Sequence, residues 1–212
     1  MNNIAILGGS FDPPTIGHIR IAEYVLKTVH DIDSIYIVPC YNHMFSKNMS
    51  SSLHRLKMCE LACKDNGRIN VLDYEISNKL SGKTYDLINF IVEKNKIPMK
   101  NISMIIGMDN ANVFKKWFNY KFLLNNIRFI VVPRKGVNRD IDANWYLEKP
   151  HIILNSENNI PLISSTMIRE HISMKNKLYN ENAEDLIDVF LEEYMNRDVL
   201  EYIYVNNLYK GE

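Results

Sequence analysis

The residues with the clearest chemical use lie in one short segment, GGSFDPPTIGH, which occupies positions 8 to 18. Gly8 and Gly9 carry no side chain, so a bulky anionic group can approach the backbone closely there. The two prolines stand just before a predicted helix, near the first-turn position that tolerates proline. The first turn of that helix offers free N–H groups and a partial positive charge, and His18 lies within it. The segment therefore predicts a phosphate-binding site that His18 can reach.

This segment differs from the common nucleotide-binding motifs. It lacks the G-x-G-x-x-G fingerprint, and the second predicted strand ends at Val38-Pro39-Cys40 without the acidic residue that would bind a ribose. Residues 81 to 84 read SGKT, like the end of a P-loop, but a P-loop would need glycine at position 77, where Ser77 stands. The sequence also lacks a G-x-S-x-G elbow. An oxidoreductase, a P-loop enzyme and a serine hydrolase are therefore disfavoured.

A second group of candidate phosphate ligands begins at residue 164. Ser164, Ser165 and Thr166 precede an apolar helix, which is by itself an N-cap pattern. The same residues can form a second phosphate cradle, with Arg169 reaching the same anion through its planar, always charged guanidinium. A surface ion pair is the alternative interpretation of Arg169.

Short apolar runs alternate with helical patterns along most of the chain. Strands are predicted at residues 4–7, 34–39, 69–72, 102–106, 127–132 and 151–154, and helices at 16–29, 51–65, 84–95 and 109–125, the last broken near Asn119. Two or three further helices follow Ser164. Such alternation predicts βαβ units, and hence an α/β, Rossmann-like three-layer sandwich with a mostly parallel sheet and a small helical C-terminal part. Ligands of such sheets bind at the carboxyl ends of the strands, where residues 8 to 18 lie.

Composition favours one globular domain. The 212 residues are 46% hydrophobic and carry no net charge, so we expect a single domain over residues 1–212 with its helical C-terminal portion at about 164–212. Neither nucleic acid nor a membrane is an expected partner, and a cytoplasmic location is expected because no signal-peptide pattern opens the sequence. The helix at 51–65 should turn Leu53, Leu56, Cys59 and Cys63 inward. We expect Cys59 and Cys63 to be buried thiols rather than metal ligands.

Five segments in series resemble the nicotinate mononucleotide adenylyltransferase family, within the larger group of nucleotidyltransferases that carries an [HT]xGH signature. They are GGSFDPPTIGH at 8–18, IIGMDNANVFKKW at 105–117, RFIVVPRKG at 128–136, ISSTMIR at 163–169 and VLEYIYVNNLY at 199–209. Together they span nearly the whole chain. The resemblance implies transfer of AMP from ATP to nicotinate mononucleotide, which forms deamido-NAD and pyrophosphate.

The resemblance also implies residue roles. His18 and Arg169 are the expected catalytic residues, because both would stabilise charge on the ATP phosphates. Asp109 would bind a ribose hydroxyl, although a helix cap is its alternative role, and Arg134 could cover the adenine. The expected ATP-binding set is Gly8, Gly9, Ser10, Phe11, Thr15, His18, Gly107, Asp109, Arg134, Ser164, Ser165, Thr166 and Arg169. Mg²⁺ is expected with the ATP phosphates, and no protein metal ligands are assigned.

The acceptor is expected to contact Lys47, Thr84 and Trp117. Thr84 resembles the family threonine near the pyridine substituent, Trp117 can stack on the ring or belong to the core, and Lys47 matches the family only loosely. The first histidine of the family signature is Thr15 here, as in some relatives that use nicotinamide mononucleotide or phosphopantetheine. Thr15 can donate to a phosphate or serve as a helix N-cap. Those two acceptors, and a non-catalytic nucleotide sensor, are therefore the alternative functions, and homo-oligomerisation is left open.

Overall fold

A computed structural model describes residues 2–42, 49–134, 136–155, 160–175 and 181–210. Its strands are β1 (Ile4–Gly9), β2 (Ser34–Pro39), β3 (Ile69–Val71), β4 (Ile102–Gly107), β5 (Arg128–Val132) and β6 (Ile152–Ile153). Its α-helices are α1 (Ile16–Thr28), α2 (Ser52–Cys63), α3 (Tyr74–Ser77), α4 (Thr84–Asn95), α5 (Met108–Asn112), α6 (Tyr120–Asn126), α7 (Ser165–Lys175), α8 (Glu181–Tyr194) and α9 (Arg197–Val205). Short 3-10 turns occupy Met99–Asn101, Phe114–Lys116 and Trp145–Leu147.

The six strands form one parallel sheet in the order β3-β2-β1-β4-β5-β6. The chain runs outward from β1 to β3, then returns to the middle and runs outward again from β4 to β6. The order therefore reverses between β1 and β4, and the crevice in which ligands of such sheets bind is expected beyond the carboxyl ends of these two strands. Both strands end in glycine at this edge, at Gly9 and Gly107. The sheet confirms the Rossmann-like prediction and places the segment of residues 8 to 18 beside this crevice.

Helices cover both faces of the sheet, as the apolar strands require. On one face, α4 packs against the sheet through the buried residues Leu87, Ile88 and Ile91. On the other face, α1 and α2 pack through residues that include Ala22, Val25, Cys59 and Cys63. A third cluster, built by α7, α8, α9 and Met58 of α2, joins the C-terminal helices to the sheet domain. None of the helices in the described part of the chain is both long and apolar enough to cross a membrane.

The orientation of α2 differs from the prediction at one turn. Leu53 is 70% exposed, whereas Arg55 is only 1% exposed, so the expected inward position of Leu53 is wrong. The physical reason is that several backbone carbonyls converge on this helix and need a donor, which Arg55 supplies and Leu53 cannot. Cys59 and Cys63 are buried free thiols, as predicted. Burial raises the pKa of Cys63 to about 12 and raises that of Cys59 well above its usual range.

The segment predicted as a helix over 109–125 is interrupted, as expected, near Asn119, whose φ of 51° lies in the left-handed region. Helix α3 was not predicted, because four residues are too few to show a helical period. The loop after β5 re-enters the core at Tyr146, which is fully buried and lies edge-on to Trp145. The loop that follows β5 therefore ends in a packed turn.

Candidate active site

The loop between β1 and α1 holds His18 by a local pair of contacts. Thr15 is the N-cap residue of α1, which confirms one of the two roles predicted for it. His18 lies in the first turn of the helix. The backbone N–H of Thr15 donates to Nδ1 of His18 at 2.9 Å, and the Thr15 hydroxyl lies 3.0 Å from the same nitrogen. Because an amide N–H can only donate, Nδ1 must be the unprotonated nitrogen of the neutral ring. The ring proton therefore resides on Nε2, where it can be donated to a ligand.

The surroundings of His18 keep its ring neutral. Burial of the ring and the positive charge of Arg134 lower the pKa of His18 to about 4 from 6.5. The Phe11 ring meets the imidazole edge-on, with a centroid distance of 5.0 Å. At pH 7 His18 is thus an uncharged donor rather than an imidazolium. The pKa of His18 is lower in the folded protein than in the unfolded chain. The contribution of the neutral ring to the free energy of unfolding is therefore fully present above pH 6.5 and is lost as the pH falls towards 4.

The buried ring of Phe11 packs against the His18 ring. Its side chain is 1% exposed, and its backbone has a φ of 47°, which a bulky residue seldom adopts. A Cβ placed on Gly9 would lie 3.2 Å from the Phe11 ring, which is a closer approach than side chains normally make. The buried phenyl ring therefore positions His18, and contact between Phe11 and a bound nucleotide would have to come from the backbone.

Gly8 borders open space at the end of β1. A Cβ added at Gly8 would have no described atom within 4 Å, so alanine fits the protein itself. If ATP approaches the backbone here, as the segment predicts, Gly8→Ala should raise the KM for ATP by about tenfold or more, because packing one extra methyl against a ligand costs about 1–3 kcal/mol. Steady-state kinetics at varied ATP concentration would measure the change.

Gly67→Ala is the matched control for Gly8→Ala. Gly67 is exposed, and a Cβ added there also meets no described atom within 4 Å. Both variants should unfold at the temperature of the parent chain, and Gly67→Ala should retain the parent KM. Equal ATP kinetics in the two variants would place the nucleotide away from Gly8.

The N-terminus of α7 closes on the same loop. Ser165 Oγ donates to the carbonyl of Pro13 at 2.7 Å, and Arg169 Nη1 donates to the carbonyl of Asp12 at 2.7 Å. A second guanidinium nitrogen, Nη2, donates to Thr166 Oγ1 at 3.1 Å. The two segments predicted to bind phosphate are therefore adjacent in space, and Arg169 is held by these contacts rather than by an ion pair within the described residues.

The remaining Ser and Gly residues of these segments have clear local roles. Ser164 Oγ accepts the N–H of Met167 at 3.2 Å, which makes it the cap of α7 predicted as one of its two roles. A Cβ at Gly17 would lie 3.3 Å from the side chain of Ile163, so glycine permits close packing of α1 against the residues before α7. Ser10 is half-buried, and its carbonyl accepts from the guanidinium of Arg55 at 2.7 Å.

Two further predicted residues follow β4 and β5 at the same edge of the sheet. Asp109 is exposed in the first turn of α5, and its Oδ1 would lie only 2.5 Å from a Cβ on Gly107. A side chain at position 107 would therefore collide with the Asp109 carboxylate, whereas glycine leaves room for it. Arg134 is exposed just beyond β5, and its charge acts on His18. The ends of β1, β4 and β5 thus carry predicted ATP ligands at one edge of the sheet.

The predicted acceptor residues Thr84 and Trp117 lie on adjacent segments. Thr84 is the first residue of α4, and Trp117 is half-buried against Phe114 at a centroid distance of 5.5 Å. Lys83 Nζ lies 4.6 Å from the centre of the Phe118 ring, which joins the start of α4 to the Trp117 segment. Lys47 lies outside the described residues.

Arg55 is a site residue that was not predicted to have a role. Its guanidinium donates to the carbonyls of Ser10 at 2.7 Å, Cys40 at 2.7 Å and Ser50 at 3.1 Å. These bonds tie the loop after β1 to the loop after β2. The sequence pattern did not distinguish Arg55, since an arginine on an amphipathic helix normally indicates an exposed face.

A buried carboxyl lies near Arg55. Glu75, on α3, is 5% exposed and accepts the backbone N–H of Tyr41 at 3.3 Å. Burial raises the pKa of Glu75 to about 7, against the opposing effect of the Tyr41 hydrogen bond and the Arg55 charge. Within the described residues, no cluster of three His, Cys, Asp or Glu side chains could hold a metal ion.

The sheet order and the glycine-containing loop at its reversal point define a nucleotide-binding α/β protein of the Rossmann-like class. A model of the cytidylyltransferase-like family matches residues 6–171. A probable nicotinate-nucleotide adenylyltransferase of Fusobacterium nucleatum is 40% identical over 193 residues, covering 87% of this chain and 96% of the relative. The nicotinate-nucleotide adenylyltransferase of Bacillus subtilis is 32% identical over 177 residues, covering 82% and 88%.

The chain therefore belongs to the nicotinate-nucleotide adenylyltransferase family, within the cytidylyltransferase-like nucleotidyltransferases. A solved structure with the same fold is the nicotinic acid mononucleotide adenylyltransferase of Plasmodium falciparum, complexed with NaAD. It superposes with a TM-score of 0.76 at 22% identity and covers 100% of this chain and 99% of its own. The family model and the two relatives confirm the family resemblance, and the superposition confirms the fold predicted from the sequence.

Proposed function

We propose that the protein transfers AMP from ATP to nicotinate mononucleotide, forming deamido-NAD and pyrophosphate in NAD biosynthesis. Family membership supports this reaction, since the relatives with 40% and 32% identity are a probable nicotinate-nucleotide adenylyltransferase and a nicotinate-nucleotide adenylyltransferase. The observation that carries it in the structure is the meeting of the β1–α1 loop with the N-terminus of α7, where Ser165 and Arg169 donate to the carbonyls of Pro13 and Asp12 in the loop that leads to His18.

The reaction needs positioning and charge stabilisation more than proton transfer. A phosphate monoester has its second pKa near 6, so the acceptor phosphate is mostly dianionic at pH 7 and needs no general base. One of its oxygens attacks the α-phosphorus of ATP while the bond from that phosphorus to the bridging oxygen of pyrophosphate breaks. The negative charge that develops on the phosphate oxygens then requires hydrogen-bond donors.

His18 and Arg169 are the donors that we assign to this charge. The neutral His18 ring donates from Nε2, because Nδ1 is occupied by the Thr15 amide. Arg169 has five N–H groups and uses its Nη1 and Nη2 atoms in the two bonds described above, so further N–H groups are available to phosphate. Free backbone N–H groups at the N-termini of α1 and α7 add partial positive charge.

The other predicted residues complete the nucleotide site in this proposal. The ATP phosphates pass the backbone of Gly8, Gly9, Ser10 and Phe11, with Thr15, Ser164, Ser165 and Thr166 as further hydroxyl and backbone donors. Gly107 leaves room for Asp109 to bind a ribose hydroxyl, and Arg134 covers the adenine. Nicotinate mononucleotide lies between the start of α4 at Thr84 and the Trp117 ring, with Lys47 as a phosphate ligand.

Mg²⁺ fits this site as a partner of the substrate. An Mg²⁺ ion that binds with ATP is held mainly by phosphate oxygens and water, so we assign it no protein ligands. When bound, Mg²⁺ neutralises charge on the triphosphate.

The test is pyrophosphate release from ATP with a panel of acceptors, in the presence of Mg²⁺. Nicotinate mononucleotide should exceed nicotinamide mononucleotide in kcat/KM by roughly 10- to 10²-fold. The reason is that one charge-assisted hydrogen bond from the start of α4 to the carboxylate contributes about 1.5–3 kcal/mol. Lys83 lies beside this helix start and reinforces the preference for an anion.

Thr84→Val tests the preference for nicotinate mononucleotide over nicotinamide mononucleotide, because it keeps the side-chain shape and removes the hydroxyl. It should reduce the ratio between the two acceptors and leave the KM for ATP unchanged. An equal or higher kcat/KM for nicotinamide mononucleotide would reject the proposed acceptor. Turnover of phosphopantetheine would assign a different acceptor. If no acceptor led to pyrophosphate release, the protein would be a nucleotide sensor. Addition of EDTA should abolish release, and Mg²⁺ should restore it.

A further inference from the structure

The C-terminal motif VLEYIYVNNLY is not used by the proposed reaction, yet its last residue reaches the active-site loop. After α9 the chain turns through Asn207 and Tyr209, whose φ angles are 51° and 61°. Non-glycine residues in this left-handed region carry backbone strain, which persists only when the surroundings enforce it. The turn delivers Tyr209 to the loop between β1 and α1.

Tyr209 meets a buried carboxylate in that loop. Its hydroxyl donates to Asp12 Oδ1 at 2.6 Å, and the backbone N–H of Ser50 lies 3.3 Å from both Asp12 oxygens. Asp12 is only 1% exposed, so its side chain faces the protein and not a ligand. Burial and the Asp12 charge raise the pKa of Tyr209, so its hydroxyl keeps the proton that it donates.

The backbone of the same residue is held by Arg169. The carbonyl of Asp12 accepts from Arg169 Nη1, and the next carbonyl, that of Pro13, accepts from Ser165 Oγ. Asp12 is thus fixed at its side chain by Tyr209 and at its backbone by a residue that we assign to ATP. A shift of Asp12 would displace both the loop that leads to His18 and the guanidinium of Arg169.

We propose that Tyr209 is a positioning residue for ATP: through the Asp12 carboxylate, its hydroxyl holds the β1–α1 loop and Arg169 in the geometry that binds the triphosphate. This inference rests on the proposed function, because it assigns the loop to ATP. Tyr209 itself contacts Asp12 and the sulfur of Met58 rather than a reacting atom.

The chain contains a matched pair that separates positioning from stability. Tyr204 Oη donates to Asp188 Oδ1 at 2.9 Å, which is the same type of bond, formed between α9 and α8. Neither residue contacts the loop of residues 8 to 18 in the described structure. Tyr204→Phe and Tyr209→Phe therefore each remove one tyrosine–carboxylate bond, but only the second bond leads to the active site.

The experiment measures affinity for a non-hydrolysable ATP analogue by calorimetry, together with ATP KM, kcat and the unfolding temperature. Tyr209→Phe should weaken analogue affinity by about tenfold and lower kcat/KM for ATP to a similar extent, the effect of one lost hydrogen bond to a charged group. Tyr204→Phe should lower the unfolding temperature comparably and leave analogue affinity within about twofold of the parent.

A second pair of variants keeps the test decisive if Tyr209→Phe does not fold. Asp12→Asn retains the side-chain shape but replaces one acceptor oxygen by a donor, so it should weaken analogue affinity, whereas Asp188→Asn should not. Equal analogue affinities within either folded pair would overturn the positioning role. Analogue binding needs no acceptor, so failure of the proposed acceptor would appear separately, as absent turnover of nicotinate mononucleotide by the parent chain.

Discussion

Replacing His18 with alanine should lower kcat by at least about 10²-fold, with a smaller change in the KM for the acceptor. The neutral ring presents one preorganised donor at Nε2, and loss of one such donor to developing charge typically costs this much. Because the pKa of His18 is about 4, the ring stays neutral and the effect should be constant between pH 6.5 and 8. Initial rates at saturating ATP and Mg²⁺ provide the measurement.

His30→Ala is the control for this experiment. His30 is exposed just beyond the end of α1, so its removal should leave kcat unchanged. The unfolding temperature of His18→Ala must also be recorded, because the variant leaves the Thr15 amide without its ring acceptor. A folded His18→Ala enzyme within threefold of the parent kcat would remove His18 from the mechanism.

Replacing Arg169 with alanine should lower kcat/KM for ATP by roughly 10²-fold or more. The change removes a charged donor to the triphosphate, and it also frees the carbonyl of Asp12. Arg169→Lys should remain impaired by about tenfold, because an ammonium keeps the charge but loses the planar fork that contacts two acceptors at once. The loss should fall mainly on ATP and less on the acceptor.

Arg197→Ala serves as the control, since Arg197 is exposed at the start of α9. It should leave the KM for both substrates at the parent values. If both Arg169 variants kept the parent KM for ATP while unfolding at lower temperature, the role of Arg169 would be limited to holding the Asp12 carbonyl.

The elements were predictable because their signals are local. Helix α4 begins and ends where the pattern placed it, at Thr84 and Asn95, and β2 has the predicted bounds Ser34 to Pro39. Apolar spacing and proline or glycine at the ends carry such information within a window of a few residues. The error at Leu53 arose because the same spacing cannot show that buried carbonyls nearby require an arginine.

The site was predictable as segments but not as contacts. The sequence placed the residues of the β1–α1 loop and those of α7 as two phosphate-binding segments, and the structure joins them through Ser165 and Pro13, which are 152 positions apart. It also buries the ring of Phe11 under His18, whereas the segment alone suggested a nucleotide contact. The structure leaves the roles of these residues toward ATP as predictions.

By itself, the sequence determined the family, the parallel α/β class and the identity of the loop at the end of β1, because these follow from periodicity and from motifs a few residues long. The tertiary structure alone decided that Arg55 is buried beneath the loops and that Tyr209 donates to Asp12. These bonds span 45 and 197 positions, and they form because each buried carbonyl or carboxylate must find a donor among whatever side chains the fold brings near it.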